Sequence, residues 1–142
     1  MNLTVIVLIV VVAVSVLEKS SADDLDDVRH VVCMEQSEIA EDEFDSMMDM
    51  LEANATDDMD HRFKCYTHCM LEKWDHFDET GKLDLAKMED KNMSASEIEA
   101  VEKCKNDTED IEDKCEYAFA LTVCFREGNK MNYSEVEEDV NE

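Results

Sequence analysis

The sequence predicts an all-α fold, a compact bundle of about six helices held by three interlocked disulfides. The chain of 142 residues contains no proline and only two glycines, which suits helices joined by short polar loops far better than paired strands. Apolar residues recur at steps of three and four along most of the chain, the spacing of one helix face. Six cysteines, an even number, follow the apolar N-terminal segment and indicate a disulfide framework.

An unbroken run of 15 apolar or small residues occupies positions 3–17. A membrane span needs about 20 such residues, so this run is short for one. Small residues at positions 20–22 precede an abrupt acidic stretch. We therefore expect residues 1–22 to be a secretory signal peptide and residues 23–142 to form one secreted, extracellular domain, with 129–142 as an acidic C-terminal tail. An uncleaved signal anchor is the alternative interpretation.

The formal net charge of −25 argues against two classes of partner, nucleic acid and anionic membrane surfaces. No second apolar run occurs in the sequence, so we also expect no stable membrane insertion. Because secretion disfavours free thiols and no paired CxxC motifs occur, we predict neither a metal site nor a cofactor. Residues 76–87 partly match a calcium-binding loop, but His76 and Lys87 stand where that loop needs acidic ligands. The carboxylates are too scattered to mark an acid–base pair, so we predict no enzyme.

The six predicted helices differ in how clearly the sequence marks their starts. Asp60 and Asp84 can cap the third and fourth helices, and Ser94 with Glu97 fits a capping box that opens the fifth. The apolar positions that define the helices are, in order, Leu25, Val28 and Val32; Phe44, Met47, Met48 and Leu51; Phe63, Tyr66, Met70 and Trp74; Leu85 and Met88; Ile98 and Val101; and residues 115–125.

The last of these helices, residues 115–125, is apolar nearly all round. A helix that is apolar on every side is buried, so we predict that this one forms the centre of the fold. Gly128 follows closely, and we predict that the helix ends there.

The spacing of the cysteines restricts how they can pair. Cys65 and Cys69 are four apart, so they lie on one helix face and are poorly aimed to bond each other. Cys115 and Cys124 are nine apart and emerge from opposite sides of the central helix. These constraints favour an interlocked pattern over local loops, but they do not select one of the fifteen possible pairings.

The full cysteine pattern resembles that of a known family. Gaps of 31, three, 34, ten and eight residues separate the six cysteines, and the three- and eight-residue gaps are the most specific. The motifs KCYT at 64–67, CMLEK at 69–73 and GKLD at 81–84 agree with it, and DKC at 113–115 is similar to hymenopteran members. The chain thus resembles the insect odorant-binding proteins of the pheromone- and general-odorant-binding type.

The resemblance implies a function and a pairing. It implies a hydrophobic cavity within the helices that carries small apolar odorants or pheromones, with delivery to an olfactory receptor, in sensillar lymph or another secreted fluid. It implies a monomer or weak homodimer. A non-olfactory lipid-binding or protein-interaction role in venom, saliva or reproductive fluid is the alternative. The implied disulfides are Cys33–Cys69, Cys65–Cys115 and Cys104–Cys124.

Candidate ligand contacts follow from the same resemblance and from the apolar helix faces. Phe125 directly follows the sixth cysteine, a position that contacts ligand in the resembling family. Tyr117 and Thr122 are the polar groups on the central helix that could bond a ligand oxygen, although packing or a backbone hydrogen bond is the alternative for each. Methionines are flexible and polarisable, so a methionine-rich lining can adapt to several ligands. The other candidates are Met47, Met48, Met70, Met88, Trp74 and Leu121.

Two further groups of residues carry predictions. His61, His68 and His76 are candidates for a pH switch, since the resembling family often releases ligand at lower pH and histidine titrates in that range. Solvent exposure on an acidic surface is the alternative for each. Four asparagines begin Asn-x-Ser/Thr sequons and are candidates for glycosylation: Asn54, Asn92, Asn106 and Asn132. The mature chain has six asparagines, which by chance would give fewer sequons than this.

Overall fold

The computed structural model describes residues 22–89 and 91–139, with side chains for 24–89 and 91–128. The predicted signal peptide, apart from its last residue, lies outside the described residues. Within them, the fold is all-α, and the strand-type pairing is one isolated bridge between Phe77 and Leu83. The six helices are α1 (Ala22–Gln36), α2 (Glu41–Glu52), α3 (His61–Lys73), α4 (Leu85–Glu89), α5 (Ala95–Asp107) and α6 (Lys114–Asp139).

The chain divides into two units, the first ending at Val32 and the second beginning at Cys33. The described part of the first unit is the N-terminal portion of α1, where Leu25, Val28 and Val31 are exposed. The second unit holds the remaining helices. Across the described residues, no helix is both long and apolar enough to cross a membrane.

Helix α6 is the centre of the second unit, as its apolar composition predicts. Its most extensive packing is against α3, and it also packs against α5, which in turn contacts α4. Tyr117, Ala118 and Leu121 are buried almost completely on one side of α6, while Phe119 is buried among different neighbours. A helix buried on more than one side needs apolar residues all round, which is what residues 115–125 provide.

The predicted helix starts are confirmed by their capping hydrogen bonds. Asp60 Oδ1 accepts from the backbone N–H of Arg62 over 2.8 Å at the start of α3. Ser94 Oγ accepts from the Glu97 N–H over 3.3 Å, and Glu97 Oε2 accepts from the Ser94 N–H over 2.7 Å, which completes the capping box of α5. Asp84 Oδ1 likewise accepts from the N–H of Ala86, the second residue of α4.

The predicted end of α6 at Gly128 is wrong. The helix continues through that residue to Asp139, so most of the predicted acidic tail is helical backbone. Gly128 is not among the residues with positive φ, whereas Gly81 is, with φ of 79°. A glycine inside a helix costs only about 1 kcal/mol relative to alanine, so it does not by itself end one.

Three disulfides lock the helices together. They join α1 to α3, α3 to α6, and α5 to α6, with Cα–Cα distances of 5.6, 4.4 and 5.8 Å. Neighbouring cysteines on α3 therefore bond different helices, as do the two on α6. The pairs are Cys33–Cys69, Cys65–Cys115 and Cys104–Cys124, the same pairs that the family resemblance implies.

Candidate ligand-binding site

Two groups of buried side chains form the interior of the described chain. The first core cluster is formed by the end of α1, by α2 and α3 with the segments that flank α2, and by a single residue of α6. Its members are Cys33, Met34, Ile39, Met47, Leu51, Met59, Phe63, Tyr66, Cys69, Met70 and Phe119. The second core cluster draws on the end of α3, the loop after it and helices α4 to α6: Leu71, Phe77, Leu83, Met88, Val101, Cys104, Tyr117, Ala118 and Leu121.

The predicted ligand contacts are divided between these two clusters. Met47 and Met70 are buried in the first core cluster, and Met48 packs against it. Trp74 is partly buried and packs against both clusters. The members that belong to the second core cluster or pack against it are Met88, Tyr117, Leu121 and Phe125.

Met88 and Phe125 meet in a groove of about 190 Å³ where α4, α5 and α6 converge. We call this the apolar groove; its described lining is Met88, Met93, Glu97, Ala100, Val101 and Phe125. Of these six lining residues, the sequence identified Met88 and Phe125 as candidate ligand contacts. Ala100 and Val101 lie one helical turn beyond Glu97, on the same face of α5. The helical period of α5 was therefore the sequence signal that could have identified these three lining residues together.

The Cys104–Cys124 disulfide positions Phe125 in the apolar groove. It ties α5 to α6 immediately before Phe125 and three residues after Val101, a second lining residue. Gly128 lies one turn further along α6, and a Cβ placed on it would be 3.9 Å from Ala100 Cβ. The two helices therefore run close together beside the groove.

Glu97 places a fixed negative charge at the apolar groove. Its Oε2 accepts hydrogen bonds from both the Ser94 hydroxyl and the Ser94 N–H, each over 2.7 Å. These bonds, the hydroxyl's first, hold the pKa of the Glu97 carboxyl below its usual value. Of the described residues that line the groove, Glu97 alone is ionisable.

Two larger depressions on the surface have a different character. One of about 490 Å³ is lined by Asp78, Glu79, Thr80, Asp84 and Lys87. The other, of about 440 Å³, lies beside Arg62, which donates hydrogen bonds to Glu43 and Asp60. Ionisable side chains dominate both linings, and such surfaces suit water better than an apolar ligand.

The polar candidates on α6 already have partners in the fold. The Tyr117 side chain is 1% exposed, and its hydroxyl accepts a hydrogen bond from the Leu83 N–H over 3.0 Å. Burial raises the pKa of Tyr117, and Lys82 Nζ lies 4.1 Å from the centroid of its ring. Thr122 Oγ1 donates to the Ala118 carbonyl over 2.9 Å. Both hydroxyls therefore form hydrogen bonds with the backbone, which is the alternative to a ligand contact.

The three candidate switch histidines occupy different environments. His61 is exposed, with Nδ1 3.6 Å from Glu116. His68 stacks on Phe77 with ring centroids 5.3 Å apart, and burial lowers its pKa. His76 Nδ1 lies 3.1 Å from Lys91 Nζ. Burial first, and then the Lys91 charge, lower the pKa of His76 to about 4.

One cluster contains residue types that bind metals. Ligand atoms of His61, Cys65 and Cys115 all lie within 4.8 Å of one another. The two sulfurs are bonded to each other, however, so neither is the thiolate that a metal site needs.

Three of the four sequon asparagines have described side chains, and all three are exposed: Asn54, Asn92 and Asn106. The first two occupy turns with φ of 56° and 58°. Thr108, which completes the third sequon, is buried and donates to the Cys104 carbonyl over 2.8 Å. The side chain of Asn132 lies outside the described residues.

Comparison with known proteins supports the family resemblance. A family model described as the PBP/GOBP family matches residues 17–128. The chain is 32% identical over 124 residues to general odorant-binding protein 57c of Drosophila melanogaster, an alignment that covers 84% of this chain and 83% of that protein. It is 26% identical over 105 residues to pheromone-binding protein Gp-9 of the hymenopteran Solenopsis globularia littoralis, covering 67% of each.

A solved structure is similar in fold. The crystal structure of Epiphyas postvittana pheromone binding protein 3 matches 68% of this chain and 89% of its own, with a TM-score of 0.58 and 19% sequence identity. Identity at this level establishes the shared fold alone.

Proposed function

This chain belongs to the PBP/GOBP family, and we propose that it is a secreted carrier that binds and solubilises small hydrophobic ligands of the odorant or pheromone class. The relatives that support this proposal are named as a general odorant-binding protein and as pheromone-binding proteins. The N-terminal apolar run supports secretion, because secretory signal peptides have this length and composition.

The observation that carries the proposal is the apolar groove. Two methionines and Phe125 give it an adaptable apolar lining, and a disulfide directly before Phe125 holds two of its helices together. Small-molecule sites in proteins typically combine such an apolar surface with very few polar groups.

A displacement assay tests this proposal. The mature protein is loaded with the fluorescent probe N-phenylnaphthylamine, and volatile alcohols, esters, aldehydes, terpenes and longer lipids are titrated in. We expect a subset of the apolar compounds to displace the probe at micromolar concentrations. If none of them does, the chain is not a carrier of this class.

The site of expression separates the two roles that such a carrier could have. An olfactory carrier that delivers its ligand to a receptor is expressed in antennal tissue. The same binding step in venom, saliva or reproductive fluid would serve lipid transport or a protein interaction instead. Transcript measurements across these tissues distinguish the roles, and the displacement assay by itself does not.

We also propose that acidification weakens ligand binding. His68 and His76 flank Phe77, a member of the second core cluster, and protonating either would add a positive charge next to that cluster. Ligand affinity measured at pH 7, pH 5 and pH 4 tests this step; the lowest value is needed because the pKa of His76 is about 4. Equal affinities at all three values would contradict it.

A further inference from the structure

We propose, on the basis of the carrier function above, that the apolar groove selects ligands whose head group donates a hydrogen bond, such as alcohols and amines, and discriminates against carboxylic acids. The feature responsible is the Glu97 carboxylate at the edge of an otherwise apolar lining. A fatty acid and a fatty alcohol share the same apolar body, so only the head group separates them.

The Glu97 carboxylate is oriented before any ligand arrives. The capping box uses Oε2, which accepts both hydrogen bonds from Ser94. Since a carboxylate has two oxygens and about four acceptor positions, this arrangement fixes the group without saturating it. Oε1 therefore remains an acceptor for a donor that enters along the groove.

Electrostatics favours the same class of ligand. A donor that meets an ionised acceptor forms a charge-assisted hydrogen bond, which is about twice as strong as a neutral one. A ligand carboxylate in the same place would face the like charge of Glu97, which is exposed beside the apolar lining, and the net charge of −25 offers it no general attraction. An ester can only accept, so it gains nothing from Glu97.

Four ligands with the same ten-carbon chain test the proposal: decylamine, decanol, methyl decanoate and decanoic acid. Their affinities for the mature protein are measured by equilibrium dialysis at neutral pH. We expect decylamine and decanol to bind about tenfold more tightly than decanoic acid. Equal affinity for the acid and the amine would overturn the proposal.

The variant Glu97→Gln isolates the charge. Glutamine is accepted at this position of a capping box, so the start of α5 is expected to survive, and circular dichroism melting checks this. The ratio of amine to acid affinity should fall about tenfold, while decanol, which both donates and accepts, should change least.

Glu99→Gln is the matched control. Glu99 is exposed on the same helix but does not line the apolar groove. Its replacement by glutamine removes the same charge. If Glu99→Gln changes the amine-to-acid ratio as much as Glu97→Gln does, a general charge effect explains the selectivity and the proposal is wrong. If none of the four ligands binds although other apolar compounds displace the fluorescent probe, the selectivity proposal is wrong and the carrier function stands.

Discussion

The buried N–H of Leu83 donates a hydrogen bond to the Tyr117 hydroxyl over 3.0 Å, although 34 residues separate the two in sequence. This bond anchors the loop between α3 and α4 to the central helix. Both residues are almost fully buried, so water cannot replace either partner if the other is lost. The Tyr117 hydroxyl, a candidate ligand contact with a backbone hydrogen bond as its alternative, therefore stabilises the fold.

Replacing Tyr117 by phenylalanine should lower the free energy of unfolding by about 1–3 kcal/mol, because the Leu83 N–H stays buried without an acceptor. Urea unfolding followed by circular dichroism measures the change. Thr122→Val is the control. It removes a hydroxyl of the same helix that donates to the Ala118 carbonyl, a carbonyl within the helix, so we expect a small effect. A Tyr117→Phe protein of wild-type stability with weakened ligand binding would assign the hydroxyl to the ligand instead.

Replacing Phe125 by alanine should weaken binding of apolar ligands about tenfold, since it removes the largest apolar side chain of the groove. Phe44→Ala makes the same truncation at a partly buried phenylalanine beside the first core cluster. Because both phenylalanines are only partly buried, both variants should lose roughly 1–3 kcal/mol of stability, but only Phe125→Ala should lose affinity in the displacement assay. Equal losses of affinity would show that the groove is not the binding site.

Removing any one disulfide by paired serine substitution should cost about 3–4 kcal/mol in the chain-entropy model. The cost should rise with the length of chain enclosed, from 20 residues for Cys104–Cys124 to 36 for Cys33–Cys69 and 50 for Cys65–Cys115. Thermal and urea unfolding of the three double variants give the order. Loss of Cys104–Cys124 should also weaken ligand binding, because that bond positions Phe125, whereas a purely structural bond would leave affinity unchanged.

Because the fold keeps His76 neutral, the protein should be less stable in mild acid. Its pKa of about 4 lies below the ordinary value of 6.5, so the unfolded chain takes up the proton first as pH falls between these values. The contribution of His76 to the free energy of unfolding is fully present above pH 6.5 and decreases as the pH falls towards 4. Burial, the Lys91 charge and the opposing Asp75 charge set the shift.

Two variants test this assignment. His76→Gln can still accept from Lys91 but does not titrate, so its stability should depend less steeply on pH than that of the wild type over this window. Lys91→Met removes the positive neighbour and should bring the pKa of His76 closer to its usual value. Identical pH profiles for His76→Gln and the wild type would show that other groups control the acid response.

Secretion from insect cells should yield a glycosylated protein. Asn54, Asn92 and Asn106 are exposed on turns or at a helix end, where an attached sugar meets solvent rather than the core. Treatment with an N-glycosidase should increase electrophoretic mobility, and each Asn→Gln variant should remove one step of that shift. Unchanged mobility after treatment would mean that the sequons are unused.

Local features of the chain were predictable because their physics is local. The capping box of Ser94 and Glu97 depends on residues three apart, and the burial of residues 115–125 follows from apolar side chains on every side of one helix. The cysteine offsets likewise excluded a bond between Cys65 and Cys69, because side chains four apart on a helix point side by side.

Gly128 shows where local reasoning fails. A glycine after an apolar helix commonly marks its end, yet α6 continues past this one. A glycine by itself does not decide whether a helix continues, and here a Cβ placed on Gly128 would lie at an ordinary packing distance of 3.9 Å from Ala100 Cβ of α5. The sequence near position 128 contains no information about that neighbour.

The sequence by itself determined an all-α, disulfide-linked family member, because helical period and capping depend on neighbouring residues and the cysteine spacing is read directly along the chain. Only the tertiary structure decided that the Tyr117 hydroxyl bonds Leu83 and that Glu97 joins Met88 and Phe125 at one groove. These contacts join residues far apart in the chain, and they depend on how α4, α5 and α6 pack. Packing geometry, rather than local periodicity, therefore decides which side chains meet at the groove and which lie in the core.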